Sequence, residues 1–208
     1  MRFALPLVVA VALAACQQSP DQTLPVDAAT NTAVAETAAS PVTSASAEAP
    51  ASEAPEVTLM AKGIVMVGAV AGRGTATTLE FGRDQANALA VMAVDFGKPK
   101  LSKLGECGAG PMEFAAWGPL TLNFLDRKFV GWRAERGAQV VTVGGLQLGS
   151  TLAEIKRERS ARRIPDTTLP GEFEYASGDG GTIGGFLEGA GDAAKVVSFH
   201  AGTTCFFR

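Results

Sequence analysis

The side chains able to do chemistry in this 208-residue chain are few, and their spacing narrows what they can do. There are three cysteines, Cys16, Cys107 and Cys205, and a single histidine, His200. Any Ser-His-Asp or Cys-His constellation has to use that one imidazole, and a histidine metal site needs other residue types for every further ligand. Set among Val197, Ser198 and Phe199, His200 reads as a strand residue that faces solvent or caps a sheet edge. A nucleophilic Cys107 requires a lowered thiol pKa; Glu106 beside it opposes that and Lys103 favours it. Gly68, Gly72 and Gly74 match neither a dinucleotide fingerprint nor a Walker loop, and they lead into a strand where those motifs need a helix. The glycine-rich residues 178–185 hold too few carboxylates, Asp179 among them, for an EF-hand, and read as a mobile hairpin. Asp and Glu are scattered, with no pair placed across a cleft. Neither a cofactor nor a metal is expected.

Cys16 has a different chemistry. Arg2 gives a positive start, residues 3–13 are almost unbroken apolar, and the run is too short to cross a bilayer as a helix. The stretch then closes on Leu13-Ala14-Ala15-Cys16, which resembles the lipobox of bacterial lipoproteins. That resemblance implies a signal peptide over 1–15 and acylation of Cys16, including palmitate. With about 0.8 kcal/mol per buried CH₂, several acyl chains anchor the protein stably to a membrane without spanning it. Gln17 stands where an Asp directs inner-membrane retention in proteobacterial lipoproteins, so in a Gram-negative host the resemblance implies the outer membrane, on its periplasmic face. In an oxidising periplasm the two remaining cysteines, Cys107 and Cys205, are most simply a disulfide, worth up to about 4–5 kcal/mol in the chain-entropy model. The competing reading keeps Cys107 as a free thiol.

Residues 16–56 are mostly Ala, Ser, Thr, Pro, Val and acid, without aromatic, lysine or arginine. Such a segment buries too little apolar surface to offset its ordering entropy, so it reads as a disordered tether with a root-mean-square reach of roughly 35 Å. It carries six acids: Asp21, Asp27, Glu36, Glu48, Glu53 and Glu56. Removing these and Arg2 from totals of 21 acids and 18 bases leaves 15 against 17 for residues 57–208. The folded part is therefore near neutral, which argues against nucleic acid as a partner.

Those 57–208 residues suffice for one domain with a real core. Residues 59–67 read as a strand or strand pair, 75–81 as a second strand, and 85–96 as a helix with Asp84 as N-cap. Lys98, Lys100 and Lys103 dot a loop, and strands follow at 113–117, 120–125 and 128–135, with Leu120, Leu122 and Phe124 on one face. A second cycle begins with a strand-like 140–148. A capping box, Thr151-Leu152-Ala153-Glu154, then opens a helix to about residue 162, and strands follow near 173–176, 182–188 and 195–200. At an offset of 67, Leu79 falls on Leu146, Phe81 on Leu148 and Gly82 on Gly149. The fold class is thus α+β: an antiparallel sheet with two helices, arranged as a degenerate tandem repeat of helix and strands. The pattern resembles the helix-plus-meander modules of the small lipoprotein of the β-barrel assembly machine and of the β-lactamase inhibitor protein. Residues 106–111 with 129–132 also resemble uncharacterised proteobacterial lipoproteins, which implies a location and no chemistry.

Lys156, Arg157, Arg159, Arg162 and Arg163 form a basic cluster on the second helix. It reads as a solvated face, or else as a contact for anionic headgroups, the acidic tether or an acidic partner. Trp117 and Trp132 lie in core strands. The expected function is non-catalytic binding or scaffolding in the cell envelope, with an envelope protein as partner; the alternative is a thiol-dependent enzyme using Cys107.

Overall fold

Short runs of alternating apolar residues, separated by turns rich in glycine, produce a chain dominated by strands. The computed structural model describes residues 55–68 and 76–206. The leader, Cys16, the tether up to residue 54 and the glycine loop from 69 to 75 lie outside the described residues.

The strands are β1 (Glu56–Met60), β2 (Gly63–Val67), β3 (Ala76–Glu80), β4 (Lys100–Leu104), β5 (Met112–Trp117), β6 (Leu120–Leu125), β7 (Lys128–Glu135), β8 (Val140–Thr142), β9 (Ala161–Arg163), β10 (Glu172–Ala176), β11 (Thr182–Glu188) and β12 (Lys195–Gly202). The helices are α1 (Gln85–Phe96) and α2 (Leu152–Glu158). An eight-stranded antiparallel sheet runs β4-β5-β6-β7-β12-β11-β10-β9, and a four-stranded one runs β3-β2-β1-β8. The fold is α+β with antiparallel pairing throughout, except that β8 joins β1 in parallel over three residue pairs.

The tandem repeat is carried by the backbone. Gly82 donates to Phe129 O (2.7 Å) and Gly149 to Val196 O (2.8 Å); Phe129 donates to Arg83 O and Val196 to Ser150 O; Gln85 donates to Arg127 O and Leu152 to Ala194 O. Each bond repeats 67 residues later, and Gly82 and Gly149 have the same left-handed backbone, φ 90° and 91°. Both glycines end a stretch of chain and turn it into a helix N-terminus, a conformation that side-chain-bearing residues adopt at a cost. β7 and β12 even share one burial pattern along their eight residues.

The core lies between the two sheets. Leu59, Ile64 and Leu79 from the small sheet and Ala88 and Met92 from α1 meet Leu122, Phe124, Phe129, Trp132 and Phe199 of the large one. Trp132, fully buried, donates its indole N–H to Met60 O at 2.8 Å, tying the layers together. Trp117, expected in the core, is only half-buried at the first module's outer rim, where its N–H reaches Gly97 O.

Several expectations need correction. The lysine-dotted loop is an edge strand, β4, whose ladder is supplied by β5; no apolar alternation of its own announces it. The strand expected over 140–148 stops at Thr142, because Gly144 and Gly145 at φ 106° and 83° reverse the chain and return Leu146 to the core. The second helix ends at Glu158, four residues short, since Ile155 is its last buried residue and Arg159 is extended. Without an apolar anchor another turn has nothing to pack on. Its capping box is as expected, whereas Asp84 makes no side-chain cap and pairs with Lys128 at 2.6 Å. The hairpin after β10 is docked, not loose: Asp179 accepts from Lys62 N–H at 3.2 Å and from Ser177. Burial pushes the Asp179 carboxyl up, but the hydrogen bonds from Ser177, Ala61, its own N–H and Lys62 outweigh it and hold the pKa below 3.8.

Two measurements follow. A Cβ at Gly82 or Gly149 meets nothing within 4 Å, so alanine there strains only the backbone. Each substitution is expected to cost about 1–2 kcal/mol in urea unfolding, with both costs alike. Tyr175, the chain's one tyrosine, is 1% exposed, and burial raises its phenol from 10.0 to about 12. A raised pKa contributes stability in full below pH 10 that is lost as pH rises through 12. Tyrosinate absorbance of the native protein should therefore appear near 12 and return to near 10 in denaturant; native titration near 10 would contradict the burial.

Candidate functional site

The inner face of the large sheet is filled by the core, which leaves its outer face as the surface on which polar side chains are set by strand alternation. Its midline is fixed by the β7–β12 pairing: Glu135 with Ser198, Ala134 with Phe199, Arg133 with His200, Trp132 with Ala201 and Gly131 with Gly202. Only Arg133 and His200 in that ladder are also related by the 67-residue repeat, so they sit on the pseudo-twofold axis. His200 is therefore neither at a sheet edge nor open to solvent on all sides. It lies at the centre of the outer face with its ring over Gly184, where a Cβ would come within 2.5 Å of Nε2. Glycine at 184 is what lets the imidazole lie flat on β11.

The chain's last described residues cross this face as a strap. Thr203 donates to Val130 O at 2.8 Å and accepts from Asn123 Nδ2 at 3.0 Å. Cys205 is bonded to Cys107, 98 residues away, which pins the strap to the loop after β4. With Cys107 also only 6% exposed, the oxidised protein presents no thiolate there. Phe206 then packs edge-on to Phe186 (5.2 Å between ring centres) and to His200 (4.8 Å).

Between the strap and β4 lies a groove of about 370 Å³. Its floor is Phe114 and Ala116, its polar members are Ser102, Thr121 and Asn123, and its cations are Lys100 and Arg133. Arg133 is 3.4 Å from Glu135 through Nε and remains 39% exposed. Among the described residues no carboxylate lines the groove. That combination can hold an apolar segment and an anionic group together, but it places no general acid beside a base. A larger hollow of about 690 Å³ lies where Pro55 and Glu56 meet Ala138–Val141 and Lys195–Val197; its charges are partly spent on each other, since Arg136 pairs with Glu188.

The basic cluster is divided among several partners. Lys156 pairs with Asp192 at 2.7 Å, Arg162 with Glu174, and Arg163 reaches Gly191 O. Arg159 packs its guanidinium against Gly144 and donates to Glu158 O. Arg162 and Arg163 lie on β9, not on the helix. Among the described residues no three His, Cys, Asp or Glu side chains gather as a metal site, and no helix is long and apolar enough to cross a membrane. Arg133, Phe186 and Phe206 were not singled out by sequence; the available signal was the 67-residue offset, which places Arg133 over His200.

No protein-family model, no curated protein and no solved structure matches this chain.

If the disulfide holds the strap, Cys205→Ser frees it while the sheet persists. Amide exchange at Thr203 should then rise about tenfold or more, with Tyr175 still titrating high. An unchanged Thr203 amide would mean that the hydrogen bonds alone fix the strap.

Proposed function

We propose that this chain is a lipid-anchored envelope protein whose domain is a non-catalytic binding module. The partner, an envelope protein, docks on the outer face of the eight-stranded sheet. One observation carries the reading. The face is central to the fold, bears no helix among the described residues, and sets Arg133, Phe114 and Phe206 around a groove with Phe186 packed on Phe206, the strap being cross-linked in place. Half-exposed aromatics with an arginine among them are the residue types that dominate binding energy at protein interfaces. A rigid face also lowers the ordering cost of association. The lipobox-like ending at Cys16 supplies the anchor, and the acidic linker supplies reach from the outer membrane into the periplasm.

The test is photo-crosslinking in whole cells of the full chain, with a photoreactive residue at Thr121 or Arg133 and, as control, at Asp126 in the β6–β7 turn. A discrete adduct from the two groove positions and none from the turn is expected, and Cys16→Ser should both release the chain from membranes and abolish the adduct. Equal labelling at all three positions would sink the reading.

A further inference from the structure

The two ends of the large sheet are equivalent by the repeat, yet they are finished differently. At one end β9 has three residues, and its Arg162 is neutralised by Glu174. At the other, β4 has five residues, of which Lys100, Leu101, Ser102 and Lys103 are all exposed. An edge strand directs half of its N–H and C=O groups away from the sheet, and lysine on such an edge is a common guard against pairing. A guarded edge does not also expose large apolar side chains. Leu101 (62% exposed), in β4 itself, and Val94 (59%), near the end of the helix that precedes it in the chain, are the exposed large hydrophobics among the described residues.

Alternation divides β4 between two surfaces. Lys100, Ser102 and Leu104 border the outer-face groove, whereas Leu101 and Lys103 lie on the side of α1. Lys103 is spent on Glu113 at 2.5 Å; among the described residues Lys100 and the neighbouring Lys98 pair with no carboxylate. We infer that β4 is a strand-addition site for an extended segment of a partner protein in which acidic and apolar residues alternate. The acids face Lys100 over the groove, the apolar residues cover Leu101, and the backbone completes the ladder of β4. The edge adjoins the groove but does not use Arg133 or the strap. The inference rests on the reading of the domain as a binding module and is tested apart from it.

The probe is a short end-blocked peptide alternating valine and glutamate, compared with its valine and lysine counterpart, against the full chain. Binding is followed by amide exchange. The glutamate peptide should slow exchange along residues 100–104 and bind about tenfold more tightly than the lysine one, a preference reduced by salt and by Lys100→Glu. Leu101→Pro removes a donor that points away from β5 and should abolish binding while Tyr175 still titrates near 12, which shows the fold intact. Leu101→Pro lies on the side of β4 away from the groove and should leave the whole-cell adduct at Thr121 in place, so a failed face and a failed edge are distinguishable. Equal affinity for both peptides, protection elsewhere than β4, or concentration-dependent dimerisation that itself protects β4 would overturn the inference; the last would assign the edge to a second copy.

Discussion

The ladder between β7 and β12 is the constraint on which the rest depends. Each four-stranded half, β4 to β7 or β9 to β12, has one free inner strand, and joining those two strands makes a single eight-stranded sheet. Trp132 and Phe199, fully buried on the inner side of this seam, reach into the layer of small-sheet residues below. On the other side the same ladder brings Arg133 and His200 together, so one set of backbone bonds fixes both the core and the centre of the open face. Burial of such aromatic side chains contributes about 1.5–3 kcal/mol each, which makes the seam more than a hydrogen-bonded contact.

The halves have diverged around that seam in ways that suit different tasks. The second module has the short capped helix, the aromatic stack of Phe173, Tyr175 and Phe199, and an edge closed by Arg162 and Glu174. The first has the longer helix, the open edge and the groove. The C-terminal strap runs from the second module onto the first, and the Cys107–Cys205 bond fastens it there. Its chain-entropy contribution of about 4–5 kcal/mol is an upper figure, and its more specific effect is to hold Phe206 against Phe186 and His200.

Much of this architecture was legible in the sequence, and what was missed has physical reasons. α1 and most strands were readable because their apolar periodicity or flanking turns are local signals, as at Leu120, Leu122 and Phe124. The repeat was readable from Gly82 and Gly149, since a required left-handed backbone leaves a residue-type signature. β4 was not, because its residues, Lys100 to Lys103, face solvent and its pairing is set entirely by β5. The division of the basic run between α2 and β9 was hidden too: the pairing of Arg162 with Glu174 is a tertiary event that helix propensity does not record. The site was hardest. Arg133, Phe186 and Phe206 come from separate strands and the strap, and only the fold brings them to one face.

The central claim is that β7 and β12 weld the two modules into one cooperative body. Native-state hydrogen exchange in low denaturant tests it directly, read at the seam amides of Arg133, Ala134, Phe199 and His200 and at those in β5 and β10. The account predicts that the seam amides exchange only through global unfolding, and that β5 and β10 reach the same limiting free energy. Separate isotherms for the two halves, with the seam opening first, would contradict it.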